Sequence, residues 1–244
     1  MLNIGNSELI CVLGPTASGK TRYAVRLARE LGNGEIISAD SRQVYRRMDI
    51  GTGKDIGEYG DVPYHLIDIV EPGTRYNVFR FKEDFGRVAG EIRSRGSFPI
   101  LCGGTGLYIN AVTRGYDFRN NIPLSDSRDS LGSSGPETYF IGILVDRDTR
   151  NRRIDARLDA RLKEGMIEEV RELLESGVPA ETLLSYGLEY KFVTLYLQGE
   201  MSFEEMRMKL AIAIHQFAKR QMTWFRGMER SGVQIHWVNP DDGL

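Results

Sequence analysis

Cysteine is scarce in this chain. Its two thiols, Cys11 and Cys102, both fall inside apolar, strand-like runs. That placement predicts buried, reduced thiols and argues against a disulfide framework or a cysteine-built metal site. Strong net charge is also missing: the formal balance is −2 over 244 residues. No whole-chain field attracts polyanions, so a nucleic-acid contact needs basic groups gathered locally. No apolar window approaches the length of a transmembrane helix. The stretch Met1 to Glu8 is too polar for a signal peptide. These absences predict a cytoplasmic protein with no membrane partner. Internal repeats and heptad runs are lacking too. The composition, 41% hydrophobic and 27% charged, is that of an ordinary globular chain, long enough for one large domain or two small ones.

What is present is Gly14-Pro15-Thr16-Ala17-Ser18-Gly19-Lys20-Thr21. It follows the apolar run Leu9–Leu13 and precedes a segment of helical period ending at Leu31. Strand, glycine-bounded loop and helix form the context of a phosphate-binding P-loop. Backbone N–H groups of such a loop converge on one anion, and the helix adds its positive end. Lys20 brings a point charge to the phosphate oxygens. Thr21 offers a hydroxyl to a magnesium ion.

The rest of the chain alternates. Glu35–Ser38, Tyr64–Val70, Phe98–Cys102, Tyr139–Val145 and Val233–Val238 read as strands. Gly19–Leu31, Phe79–Arg95, Leu107–Val112 and Leu188–Leu197 read as helices. Arg147–Leu174 is helical with a break near Gly165. Ser202-Phe203-Glu204-Glu205 is a capping box that opens a long last helix. Alternation at this spacing predicts an α/β fold, a P-loop NTPase-like parallel sheet flanked by helices, with a helical C-terminal part. Ligands of such sheets bind beyond the carboxyl ends of the strands. The P-loop, the cluster around Asp40 and the loop Gly103–Gly106 each follow a strand, so all three are expected at one rim.

Two features leave alternatives open. Asp40 is a magnesium-associated carboxylate, a general base, or the N-cap of a helix starting at Ser41. Arg150, Arg153, Arg157 and Arg161 step by three or four and share a helix face. We expect a solvated face paired with Asp155, Asp159 and Glu164; the other reading is a ridge that contacts phosphates.

A resemblance narrows the chemistry. The P-loop, Ile37 to Arg46, Met48 to Lys54, His65 to Ile69, Gly103 to Tyr108 and Ala218 to Arg226 are similar to motifs of the tRNA dimethylallyltransferases, in the same order. The likeness covers residues 9 to 118 and about 139 to 228. It implies transfer of a dimethylallyl group from dimethylallyl diphosphate to the exocyclic amine of the adenosine 3′ of the tRNA anticodon. By this resemblance Gly14, Ala17, Ser18, Gly19, Lys20 and Thr21 hold the diphosphate, with Mg2+ at Thr21. Thr16 bonds the bridging oxygen, Arg220 reaches the diphosphate from the last helix, and Asp40 takes the amine proton. Ser41, Arg42, Gln43 and Thr105 touch the tRNA or its adenine. Asp68 and His65 read as mainly structural. A monomer is expected.

One departure stands out. The tRNA enzymes carry a helical insertion that grips the anticodon stem. Here only Arg119–Thr138, rich in Ser, Asn, Asp and Gly, occupies that place, and it reads as a short flexible loop in a single core domain, 1–244. The segment Ser185-Tyr186-Gly187-Leu188-Glu189-Tyr190 also lacks the arginines expected beside its glycine. A free adenine nucleotide is therefore the alternative acceptor, and a P-loop nucleotide kinase the reading from another class.

Overall fold

Leu9–Leu13 (β1) is apolar at every position because it runs through the middle of a parallel sheet, covered on both faces. The computed structural model describes residues 5–114, 116–117, 122–123 and 135–241. In chain order the elements are β1, Lys20–Leu31 (α1), Gly34–Ser38 (β2), Tyr64–His65 (β3), Val78–Ser94 (α2), Phe98–Gly103 (β4) and Gly106–Thr113 (α3). Tyr116–Asp117 (β5) and Ile122–Pro123 (β6) then pair antiparallel. Thr138–Ile143 (β7), Arg147–Glu164 (α4), Met166–Glu175 (α5), Ala180–Ser185 (α6), Leu188–Leu197 (α7), Phe203–Arg230 (α8) and Ile235–Val238 (β8) complete the order. The main sheet runs β3-β2-β4-β1-β7-β8, with every neighbouring pair parallel.

Alternate residues of the strands feed two separate cores. Ile10, Val12, Ile36, Ile100 and Cys102 pack under α1. Leu9, Cys11, Leu13, Ile37 and Leu101 face α2, α3 and α8. Each fully buried Leu or Ile side chain contributes about 1.5–3 kcal/mol. The two thiols thus sit on opposite faces, buried and unbridged. Burial pushes Cys102 up to about 12.

Local chemistry sets the helix ends. Asn77, Asp146 and Ser202 side chains accept backbone N–H bonds at the starts of α2, α4 and α8. Gly165, with φ 106°, divides α4 from α5. The expected strand Tyr64–Val70 ends after His65, because Leu66 and Asp68 take left-handed φ values of 61° and 56°. That kink carries Asp68 to the buried Lys54 ammonium, which also pairs with Asp49 and donates to Tyr45 O at 2.7 Å. His65 bonds Glu35 at 2.7 Å. Both residues are thus held in structural pairs. Helix α6 was not expected from the sequence. Of the loop Arg119–Thr138, residues 119–121 and 124–134 lie outside the described residues. No helix among the described residues is long and apolar enough to cross a membrane.

Candidate active site

Three loops leave the sheet side by side. Leu13 is in register with Gly103, and Ser38 with Cys102. The P-loop, the Asp40 segment and the Gly103–Gly106 loop therefore start at one level of one rim. Backbone bonds stitch two of them together: Ala39 N–H donates to Cys102 O at 2.7 Å, and Thr105 N–H to Ala39 O at 3.3 Å.

Between these loops, α4, α7 and α8 lies a cavity of about 280 Å³. Thr16, Lys20 and Thr21 line it from the P-loop side. Asp40, Ser41, Arg42, Gln43 and Thr105 line it from the neighbouring loops. Ala17 and Gly19 instead line an adjoining cavity of about 430 Å³, which shares Lys20 and Thr21 with the first. Gly14 and Ser18 lie behind the loop; the Ser18 hydroxyl is buried with no hydrogen-bond partner among the described residues. Burial pushes the Lys20 ammonium below its ordinary value, while Asp40 pulls it up.

Asp40 begins a turn, not a helix. Its Oδ1 accepts the Arg42 N–H at 2.8 Å, and Oδ2 carries no hydrogen bond among the described residues. The helix N-cap reading is thus replaced by a turn that leaves one oxygen of this cavity-lining carboxylate without a hydrogen bond among the described residues. Thr105 does not cap α3 with its side chain; its Oγ1 accepts the Ser41 N–H at 3.3 Å. Gln43 is held at both ends, accepting from the Ser38 hydroxyl at 2.9 Å and donating to Gly53 O at 3.2 Å. Arg42 reaches Ser185 O at 3.1 Å and lies over the Tyr186 ring.

Arg220 is not on the cavity wall. It lines a separate groove of about 1000 Å³ along α8, with its guanidinium over the Phe217 ring. Phe217 itself lines the cavity.

The arginine face of α4 divides, which corrects the expectation of a solvated face paired with Asp155, Asp159 and Glu164. Asp155 and Asp159 pair with His215 and Arg207 on α8, not with their own helix. Arg153 pairs with Asp241 at 3.3 Å, and Arg150 turns to another groove. Arg157 and Arg161 turn into the cavity. Arg157 also pairs with Asp55 and donates to Gly53 O at 3.3 Å. Burial lowers Arg157 to about 10, with Arg161 adding to the fall. Burial also lowers Arg161, against the pull of Glu189. The same burial raises Glu189, and Arg161 opposes that rise. Gly53, at φ 61°, accommodates both arginines: a Cβ there would overlap the Arg161 guanidinium.

Two further residues escaped sequence reasoning. Glu169 on α5 accepts the N–H groups of Asp49, Ile50 and Gly51 at 2.7, 2.7 and 3.0 Å, and the Tyr190 hydroxyl at 2.6 Å. It anchors the loop that presents Gly51–Gly53 to the cavity. Gln221 on α8 accepts the Thr16 N–H and donates to Gly104 O. Neither has a local sequence signal, because the backbone groups that each one bonds lie more than one hundred positions away.

Lys20, Arg42, Arg157 and Arg161 outweigh Asp40 and Glu189 on this wall. The arrangement can hold a multiply charged phosphate group at one end and accept a proton at Asp40.

Comparison with known proteins agrees with this chemistry. The family model described as IPP transferase matches residues 43–137 and 119–228, and the one described as Isopentenyl transferase matches residues 7–59. A tRNA dimethylallyltransferase 1 from Parabacteroides distasonis is 48% identical, over 95% of this chain and 92% of that protein. A tRNA dimethylallyltransferase 2 from Pelobacter propionicus is 47% identical, over 99% and 94%. The crystal structure of a tRNA isopentenylpyrophosphate transferase from Bacillus halodurans superposes with a TM-score of 0.84 at 32% identity, covering 98% of this chain and 92% of that one. A eukaryotic dimethylallyltransferase acting on tRNA shares the fold, with a TM-score of 0.80 at 19% identity. The chain belongs to the tRNA dimethylallyltransferase family.

Proposed function

We propose that this chain transfers a dimethylallyl group from dimethylallyl diphosphate to the exocyclic amine of the adenosine 3′-adjacent to the anticodon in tRNA. The observation that supports it best is a single cavity. In it the P-loop lysine and threonine meet an aspartate with an unengaged oxygen, opposite two inward arginines.

The reaction breaks the bond between the allylic carbon and the diphosphate oxygen. A bond forms from the adenine amine to that carbon, and the amine gives up a proton. Charge therefore grows on the diphosphate as it leaves. Lys20, the P-loop amides, Arg157 and Arg161 would stabilise it, as charged and N–H donors already aimed at the place where the charge develops. With a pKa near 10, Arg157 stays cationic at neutral pH. Thr16 would donate its hydroxyl to the bridging oxygen, and Asp40 Oδ2 would take the amine proton. We assign the arginine contact to Arg157 and Arg161 in preference to Arg220, because they line the cavity.

Magnesium fits the donor set. Mg2+ takes most of its ligands from substrate phosphates and water, with one or two from protein. No cluster of three or more His, Cys, Asp or Glu suited to a metal occurs among the described residues. The Thr21 hydroxyl is a hard oxygen donor on the cavity wall, so it would hold the ion against the diphosphate. Its chemistry there would be charge neutralisation of the leaving group.

We also read residues 119–138 as standing in the place of the stem-gripping insertion. The IPP transferase model matches in two pieces that meet at 119–137. The alignment with the Parabacteroides distasonis protein spans 284 positions, more than this chain has residues.

The test is a transfer assay. Labelled dimethylallyl diphosphate and magnesium are offered with unmodified tRNA, or with AMP, ADP or ATP. Label in tRNA at the position 3′ of the anticodon is expected. Label only in a nucleotide, or in neither, overturns the reading.

A further inference from the structure

The P-loop and the Gly103–Gly106 loop serve opposite ends of the reaction. One holds the leaving diphosphate. The other, through the Thr105 hydroxyl and the Ser41 N–H, supports the turn that aims Asp40 at the acceptor. They follow adjacent strands, yet no direct bond between the two loops occurs among the described residues. Gln221 of α8 bridges them instead. Its Oε1 accepts the Thr16 N–H at 2.8 Å, and its Nε2 donates to Gly104 O at 3.0 Å.

The carboxamide orientation follows from its partners. Flipped, it would set a donor against an N–H and an acceptor against a carbonyl, losing both bonds. Gln221 is 8% exposed and Gly104 is buried, so an unmet Gly104 carbonyl would lie away from bulk water. Gly104 makes room for it: a Cβ there would overlap Gln221 Nε2. Gln221 also lines the cavity between the two ends.

We propose that Gln221 is a positioning residue that sets the spacing between the donor side, at Thr16, and the acceptor side, at Gly104 and Thr105. This rests on the proposed dimethylallyl transfer. A shift of about 1 Å in such an arrangement costs on the order of 100-fold in rate. A single amide linked to both loops would be needed for chemistry more than for binding either substrate.

Two variants test it. Gln221→Met keeps the length and removes both bonds. Its kcat should fall about 10- to 100-fold, with KM for donor and for tRNA within about threefold of wild type. Gln221→Glu is a pH probe. The ionised carboxylate accepts from Thr16 but faces the Gly104 carbonyl with an acceptor. Protonated, it donates there and restores the original pattern. The ratio of its kcat to wild type should therefore rise about tenfold or more from about pH 8.5 to about pH 5.5. A merely structural role predicts a lower melting temperature and a flat ratio. A Gln221→Met kcat within threefold of wild type, or a flat Gln221→Glu ratio, overturns the proposal. If Gln221→Met does not fold, the ratio alone decides. Wild type that labels no tRNA would instead sink the function proposed above, so the two failures are distinguishable.

Discussion

Replacing Asp40 with asparagine separates the chemistry of this cavity from its architecture. The turn depends on Oδ1, which accepts the Arg42 N–H at 2.8 Å. Asparagine keeps that acceptor. The bond changes from charge-assisted to neutral, a difference of about 1 kcal/mol. For a chain of this length that lowers the melting temperature by roughly 2–4 °C. The second oxygen becomes an amide that cannot take a proton. Removing a general base costs about 10²–10⁴-fold in kcat. The wall also loses one of its two carboxylates while Lys20, Arg157 and Arg161 remain, so KM for the donor should stay level or fall. The assay is steady-state prenyl transfer to tRNA at several donor concentrations, paired with a thermal melt. A kcat within about threefold of wild type would refute Asp40 as the base. A melting temperature lower by well over 4 °C would refute the structural half of the argument.

Arg157→Met should reduce kcat/KM for the donor about 10- to 100-fold, the worth of one charge-assisted bond to phosphate, with KM for tRNA less affected; an unchanged value would return the diphosphate contact to Arg220. Gly53→Ala should lower the melting temperature by roughly 2–8 °C, because φ 61° costs a non-glycine residue about 1–2 kcal/mol. The same Cβ displaces the Arg161 guanidinium, so donor KM should rise, and an unaltered melt would show that the loop relaxes freely. Glu35 reports on stability: the Arg95 guanidinium and the His65 ring hold its carboxyl at about 2 against an ordinary 4.5, despite burial. A lowered folded pKa means stability that is full above the ordinary carboxylate range and is lost as pH falls toward about 2, by about 3 kcal/mol at most. Denaturant melts of wild type and Glu35→Gln from about pH 7 to about pH 2 should converge in acid, and parallel curves would remove the assignment.

Much of this molecule is visible in its residues because the signals are local. A P-loop is a contiguous strand–loop–helix, and its glycines and lysine can be found by spacing alone. Asp40 and Thr105 follow apolar runs that could only be strands, and parallel topology brings strand ends together. The caps at Ser202 and Gly165 are equally short-range. The ends of β3 were less legible. Leu66 and Asp68 sit in a mostly apolar, strand-like run, yet both take left-handed φ, and the chain leaves the ladder where Asp68 meets Lys54.

Residues whose partners lie far along the chain could not be read this way. Arg157 and Arg161 share a helix face with Arg150 and Arg153, and spacing gave no reason to separate them. The separation comes from the packing of α4 against the Gly53 loop, which brings Arg157 and Arg161 to the cavity while Arg150 lines another groove and Arg153 pairs with Asp241. Gln221 and Glu169 look like ordinary helix positions until α8 and α5 are laid across the rim. Arg220, assigned by resemblance, points along α8 to the neighbouring groove. By itself the sequence determined the sheet, the P-loop and the aspartate, because backbone hydrogen bonding and hydrophobic periodicity are set over a few residues. Only the tertiary structure decided which arginines, which glutamine and which glutamate complete the site, because the burial and charge that select them belong to elements brought together by packing.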